Sequence, residues 1–167
     1  MIDLRPFCAN EWEIRVGLQK PWRDGAWVYA TNGHLCVRVP AESVQDAPLR
    51  DAASQPANPP KMFAELHDGM EGNFLLMPPL PEDVPCPTCA GTGEIDEGIY
   101  GTDECPSCFA TKHTFTYFEL GDSGFNLHYL RLLSALPQVR IRTQGTKTAA
   151  ALIFDGGQAL LMPMRKK

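Results

Sequence analysis

Six cysteines, four histidines and a run of carboxylates are the groups able to do chemistry in this 167-residue chain. Four of the cysteines fall in one stretch, CPTCAGTGEIDEGIYGTDECPSC, as the pairs Cys86/Cys89 and Cys105/Cys108. A Cys-x-x-Cys pair places two thiolates on one side of a tight knuckle. Two facing pairs supply the four sulfurs of a tetrahedral site, so the spacing points to a structural Zn2+. Pro87 and Pro106 stiffen the knuckles, and Gly91, Gly93, Gly98 and Gly101 permit sharp turns. A redox dithiol and a pair of disulfides are the competing readings. Redox Cys-x-x-Cys pairs usually occur singly beside a βαβ pattern, which this chain lacks. A four-cysteine ligand set leaves no open position for water, which argues against Lewis-acid catalysis. Cys8 and Cys36 read as small buried hydrophobes.

The remaining groups offer no catalytic constellation. His34, His67, His113 and His128 are dispersed in sequence, and each reads as a surface or satisfied residue. Asp96/Glu97 and Asp103/Glu104 read as solvated loop acids. No phosphate-cradling loop, Gly-x-Ser-x-Gly or His-Glu-x-x-His is present, so a non-enzymatic protein is expected. Residues 81–110 carry seven acids and no Lys or Arg, and four metal-bound thiolates add about two further negative charges. This insert would repel a polyanion. Residues 111–167 carry eight bases and three acids, so any nucleic-acid contact belongs there. Ordinary solvated strand faces explain those bases equally well.

The elements that position these groups read as antiparallel strands with two short helices. Residues 11–19 alternate apolar and polar, as a half-buried strand does. KPWRDG then turns, and 26–31 and 34–40 form strands around Asn32-Gly33, the preferred pair of a two-residue type I′ hairpin. Residues 40–60 lose periodicity and read as a long loop. A short helix is expected from Pro60 to about His67, capped by Asn58 or Pro59 and ended by Gly69. Residues 72–77 read as a short strand, and 78–85 as a Pro-rich arm leading into the insert. After it come a strand over 113–120, a turn over 122–126, and a helix over 126–136. That helix carries Leu127, Leu130, Leu133 and Leu136 on one stripe, Asn126 as N-cap and Pro137 as stop. Strands over 138–144, 148–155 and 158–165 close the chain, the last two joined through Asp155-Gly156-Gly157.

The length suits one domain, and the fold class expected is α+β. Residues 1–80 form its first half, 81–111 a metal-binding insert and 112–167 its second half. No run of about 18 apolar residues suggests a membrane span, and the N-terminus lacks a signal-peptide core. With the paired thiols, these features favour a reducing, cytoplasmic setting.

The C-terminal segment carries a resemblance. Gly124-Phe125-Asn126, then Tyr129-Leu130, Leu133, Ala135-Leu136, Val139-Arg140 and the ending Leu160-Leu161-Met162-Pro163-Met164-Arg165 follow one another in order. This order resembles the last part of the bacterial replicative sliding clamp, the DNA polymerase III beta subunit. Ala30-Thr31-Asn32-Gly33-His34-Leu35 is similar to that family's ATDGHRL hairpin. The resemblance covers about 60 residues. It implies a single DNA-clamp-like domain and a hydrophobic pocket for peptide motifs of DNA-replication proteins. By the resemblance, Thr31, Gly33, His34, Leu35, Met162, Pro163, Met164 and Arg165 are the pocket residues. The alternative is that Met162 and Met164 form a strand face packed in a core. In the family the hairpin and the Met-Pro-Met-Arg strand come from neighbouring domains, so a head-to-tail homo-oligomer is expected to rebuild the pocket. Clamp helices meet duplex DNA through bases, and here His128, Arg131, Arg140, Arg142 and Lys147 are a thin set for weak contact. The chain departs from the family in supplying one domain rather than three. It lacks the first helix, has Asn32 for Asp, lacks an Arg after His34, and carries the cysteine insert. CPTCAGTG also resembles one repeat of the cysteine-rich region of J-domain chaperones. The second pair continues into Phe109-Ala110 without the glycines, and no J-domain signature is present.

Two further readings stand beside the clamp-like one. A zinc-ribbon module on an unrelated α+β scaffold would dock a basic partner through the acidic insert. An enzyme would need a pocket of converging polar groups that the sequence does not display.

Overall fold

The computed structural model describes residues 2–45, 47–56, 58–68 and 72–165, without the side chains of Asp68 and Tyr100. Its strands are β1 (Trp22–Asp24), β2 (Trp27–Thr31), β3 (Leu35–Pro40), β4 (Leu75–Leu76), β5 (Glu94–Asp96) and β6 (Thr102–Glu104). Then come β7 (Tyr117–Leu120), β8 (Ser123–Asn126), β9 (Arg140–Arg142), β10 (Ala150–Phe154) and β11 (Gly157–Leu161). Two helices, α1 (Asn58–Phe63) and α2 (Leu127–Ser134), complete the set. The fold is therefore mixed α and β, mostly antiparallel sheet with two short helices. Gly69, expected to end the first helix, lies outside the described residues; the helix runs on as a π-turn through Ala64–Asp68.

A seven-stranded antiparallel sheet runs in the order β1-β2-β3-β11-β10-β9-β4. Its centre is the β3–β11 pair, where Val37 faces Ala159. A half-turn about that point exchanges β3 with β11, β2 with β10 and β1 with β9. Leu35, the first residue of β3, then falls on Gly157, the first of β11. Each half is thus a three-strand meander, and the two meanders lie side by side. α2 precedes the second meander, whereas two 3-10 turns precede the first, Val16–Leu18 and, ahead of it, Arg5–Phe7. Leu4 and Phe7, at the Arg5–Phe7 turn, share one core with Leu130, Leu133 and Leu136 of the α2 stripe.

Both sheet faces are covered. One carries Val28, Leu35, Val37, Leu152 and Leu161 under α2. The other carries Trp22, Tyr29, Cys36 and Leu160 under Phe63, with Met62 and Leu66 against them. Alternation in β3 therefore separates two cores rather than core from water. Arg38 on the second face is buried, its guanidinium 4.3 Å from the ring centres of both Trp27 and Phe63. Its Nε donates to Gln158 Oε1 at 2.7 Å.

Several expected elements differ. Residues 11–19 are not a strand. Ile14 is 92% and Val16 64% exposed, and the segment ends in a 3-10 turn over Val16–Leu18. Local bonds displace the ladder: Asn10 Oδ1 accepts from Trp12 N, Glu13 Oε1 from Arg15 N, and Gln19 Nε2 donates to the Glu11 and Glu13 carbonyls. The strand lies instead at Trp22–Asp24, within the expected turn. The β2–β3 connection is not a two-residue type I′ turn. Thr31 pairs with Cys36, and Gly33 alone adopts a left-handed φ, of 89°. Asn32 Oδ1 closes the loop by accepting from the N–H groups of His34 and Leu35. Residues 123–126 form β8 rather than a turn, because the chain reverses earlier, at Gly121-Asp122. The last strand ends at Leu161, and Met162–Arg165 leave the sheet.

Candidate metal centre and adjoining surfaces

The insert is built from two matching knuckles. Cys86-Pro-Thr-Cys89 and Cys105-Pro-Ser-Cys108 bury all four sulfurs. Cys86 N donates to Lys112 O, and Cys105 N donates to Gly93 O, each at 2.9 Å, so each knuckle opens against the close of the other. Thr92 Oγ1 donates to Cys89 O and Thr111 Oγ1 to Cys108 O, both at 2.7 Å. The two Thr-Ser hydroxyls Thr88 and Ser107 meet across the pseudo-axis at 2.9 Å. The second knuckle keeps this shape without glycines. Phe109, Ala110 and Lys112 take φ of 48°, 54° and 70°, where the first knuckle has Ala90, Gly91 and Gly93. The hairpin β5–β6 joins the knuckles.

Cys86 Sγ lies 3.9 Å from Cys105 Sγ, and Cys89 Sγ 3.7 Å from Cys108 Sγ. All four sulfurs lie within 4.8 Å of one another. Disulfides need about 2.05 Å. A tetrahedron with metal–sulfur bonds of about 2.3 Å has edges of about 3.8 Å, so the donor set is compatible with a metal site. Donation from the Cys89 N–H leads the effects holding the Cys86 thiol below its ordinary value. Burial pushes Cys89 up, but N–H donation from Gly93 and Gly91 with the neighbouring thiols outweighs it and leaves it at about 6. Burial pushes Cys108 up to about 12. Four sulfurs this close share too few donors to ionise together without a cation.

The insert's neck docks on α2. Pro85 and His113 form an isolated bridge, and Thr114 N donates to Val84 O at 2.8 Å. Asp83 Oδ2 accepts from or pairs with His128 Nδ1 at 2.9 Å, and lies 3.9 Å from both His113 Nδ1 and Arg131 Nε. Arg131 Nη1 also donates to Pro81 O at 2.5 Å. The imidazoles of His113 and His128 stack at 4.6 Å, His128 tilts against Tyr129, and Tyr129 stacks on His34 at 5.5 Å. Three of the histidines that are dispersed in sequence therefore gather around one end of α2. No local motif announces this cluster, since it depends on how the neck folds back on the helix. Asn10 Nδ2 ties the N-terminal segment to Phe109 O at 3.3 Å.

The hairpin and the Met-Pro-Met-Arg segment adjoin within one chain. Met162 N donates to His34 O at 2.9 Å, and Met164 N to Gly124 O at 2.8 Å. Thr31 Oγ1 donates to Leu35 O and accepts from Gly33 N, which fixes the hairpin. Thr31, Gly33, His34, Leu35 and Met162 line one side of a cavity of about 260 Å³, whose other side is Met62, Pro59 and Leu18. Across His34 and Met162 a second hollow of about 250 Å³ is lined by Tyr129, Pro163, Met164 and Arg165. Met162 is 42% exposed, so it is not packed in a core. Both walls come from a single copy.

The five bases proposed for DNA do not converge. His128 and Arg131 face Asp83. Arg140 is exposed on β9, and Arg142 lies 4.8 Å over the Phe74 ring with Nη2 donating to Leu66 O. Lys147 lines a hollow with Glu119, Asp122 and the Met162–Arg165 segment. Cys36 is buried and Cys8 half-buried, and burial pushes both thiols up to about 12. Among the described residues no helix is long and apolar enough to cross a membrane. No protein-family model matches the chain, and no curated protein matches it.

Proposed function

We propose that this chain is a non-enzymatic, clamp-type interaction module of DNA metabolism, acting in the cytoplasm, whose insert holds a structural Zn2+. The observation that carries it is the adjacency of the Thr31–Leu35 hairpin and the Met162–Arg165 segment around an apolar hollow. Two flexible thioethers beside a proline suit an adaptable groove for a short peptide. The paired meanders and the shared core of α2 and the N-terminal turn support the clamp-type reading of the fold. A single copy offers both pocket walls, so peptide binding does not depend on a head-to-tail oligomer. Duplex contact is at most a minor term, because two of the five bases are taken up by Asp83.

Zn2+ is assigned to the cysteines because a closed, buried four-thiolate set is its usual structural site. Chain purified without chelator should carry about one zinc. The peptide reading is tested by fluorescence anisotropy, using a labelled peptide from the clamp-binding segment of a bacterial replicative polymerase. Saturable binding that disappears in the Met162→Ala/Met164→Ala double variant, with zinc content unchanged, supports it. No saturable binding by the unaltered chain, or binding that the variant keeps, refutes it.

A second reading has its own observation. The β5–β6 finger presents Glu94, Asp96, Glu97 and Asp103 to solvent around Ile99, which is 93% exposed. An apolar tip ringed by acids would suit a basic partner. Replacing residues 86–108 with a short Gly-Ser linker separates the two: the hollow at Met162 would survive, and finger-mediated binding would not.

A further inference from the structure

We propose that Asp83, His113 and His128 form a second metal site, for a divalent transition-metal ion of the zinc, cobalt or nickel kind, bridging the insert's neck to α2. Their donor atoms lie within 4.8 Å of one another. Coordination with bonds of about 2.1 Å needs donor separations of about 3.0–3.4 Å, and the observed 2.9 and 3.9 Å from Asp83 Oδ2 to the two Nδ1 atoms bracket that range. Two imidazoles with one carboxylate select first-row transition ions over Mg2+ or Ca2+, which prefer oxygen.

The donors stand on fixed parts of the fold. Asp83 and His113 occupy the two arms of the neck, joined by the Pro85–His113 bridge. His128 lies in the first turn of α2, where its N–H is held by the Asn126 cap at 2.9 Å. His113 Nδ1 is itself buried with no hydrogen-bond partner, 3.9 Å from the shared carboxylate, and its ring, stacked 21° from parallel on His128, must turn for both Nδ1 atoms to share one ion. A buried polar atom left without a partner is costly, and a metal ion would satisfy it. Both imidazoles also border a cavity of about 710 Å³ reaching to His34, Glu104 and Lys112, so a fourth position would remain open to water or an added ligand. Arg131 Nε, 3.9 Å from Asp83 Oδ2, opposes a cation there. Its Nη1, however, is engaged by the Pro81 carbonyl, so the guanidinium spans the arm rather than closing over the carboxylate. The site should therefore bind more weakly than the four-cysteine centre, and filling it would cross-link insert and helix.

The test uses tag-free full chain with its cysteine site already loaded with zinc. Co2+ is titrated by calorimetry, and the histidine ring nitrogens are followed by 15N NMR with Zn2+. The expected result is one further equivalent of metal, a shift of Nδ1 rather than Nε2 in His113 and His128, and loss of that equivalent in His113→Ala and in Asp83→Asn. Retained zinc and an unchanged circular dichroism spectrum show that the variants fold. The proposal is overturned if the unaltered chain takes up no second equivalent or its Nδ1 resonances do not move. A second equivalent that survives both substitutions overturns it equally. The NMR arm needs no variant, so a substitution that unfolds the neck does not rescue the idea.

Discussion

Stripping the ion from the four cysteines should melt residues 86–112 and leave the seven-stranded sheet folded. Among the described residues the insert has almost no core of its own: the four cysteines are buried with Ile95 packed against them. Ala90, Phe109, Ala110 and Lys112 hold left-handed φ values of 51°, 48°, 54° and 70° without being glycine. At about 1–2 kcal/mol each, that is about 4–8 kcal/mol of backbone cost. The hairpin β5–β6 offsets little of it, being three residues a strand with Glu94 directly opposite Glu104. Zinc on four thiolates supplies about 10–16 kcal/mol, enough to reverse the balance. The assay is hydrogen exchange by mass spectrometry, before and after chelation under reducing conditions. The amides of Cys86, Cys105, Phe109 and Thr111, each bonded within the knuckles, should lose protection. Those of β3, β10 and β11 should keep it. Protected knuckle amides after metal content has fallen to zero would refute the reasoning, as would a main sheet that melts together with the insert.

Other perturbations test separate links. Ala110→Gly relieves about 1–2 kcal/mol of left-handed strain against about 0.5–1 kcal/mol of added chain entropy. It should raise the chelator concentration needed to strip the site. Gly17→Ala would set a Cβ 2.1 Å from the Ser54 carbonyl oxygen. Backbone cannot yield cheaply there, so a loss of about 1–3 kcal/mol in urea unfolding is expected. Burial pushes the Cys36 thiol up to about 12. Between about 8.5 and that value the folded chain keeps a proton that the unfolded chain releases, so stability should fall as pH rises through this window. Iodoacetamide at pH 8.5 should spare Cys36 in the native protein and label it in urea.

The cysteine spacing made the four-thiol cluster legible because its members are local in sequence. The α2 helix was equally plain: its leucine stripe, Asn126 cap and Pro137 stop all agree. Residues 11–19 misled because alternation records only which side chains are apolar. It does not record that Gln19, Glu13 and Asn10 satisfy the backbone locally, nor that Ile14 and Val16 stay in water. Glycine content did not decide the second knuckle. Phe109, Ala110 and Lys112 follow the path that Gly91 and Gly93 make easy, since the hydrogen bonds to Cys105 and Cys108 fix it. The Asp83–His113–His128 cluster was illegible, because its members lie 30 and 15 residues apart and meet only after the neck docks on α2.

The position of the insert bears on what the helix face can do. The chain has α2 on one side of the core and the turn Arg5–Phe7 on the other. The second knuckle closes over the turn's side: Phe109 O accepts from Asn10, and Ala110 to His113 line the cavity with Pro6, Cys8 and Trp12. At its other edge the neck takes up His128 and Arg131. The face beside α2 is occupied by a segment rich in carboxylates and thiols. A duplex approaching that face would meet repulsion. The insert thus adjoins the side of the core formed by the Arg5–Phe7 turn. The cavity under the second knuckle and the hollow at Met162 share His34 and Tyr129, so a peptide seated along Met162–Arg165, as proposed, would lie beside the insert.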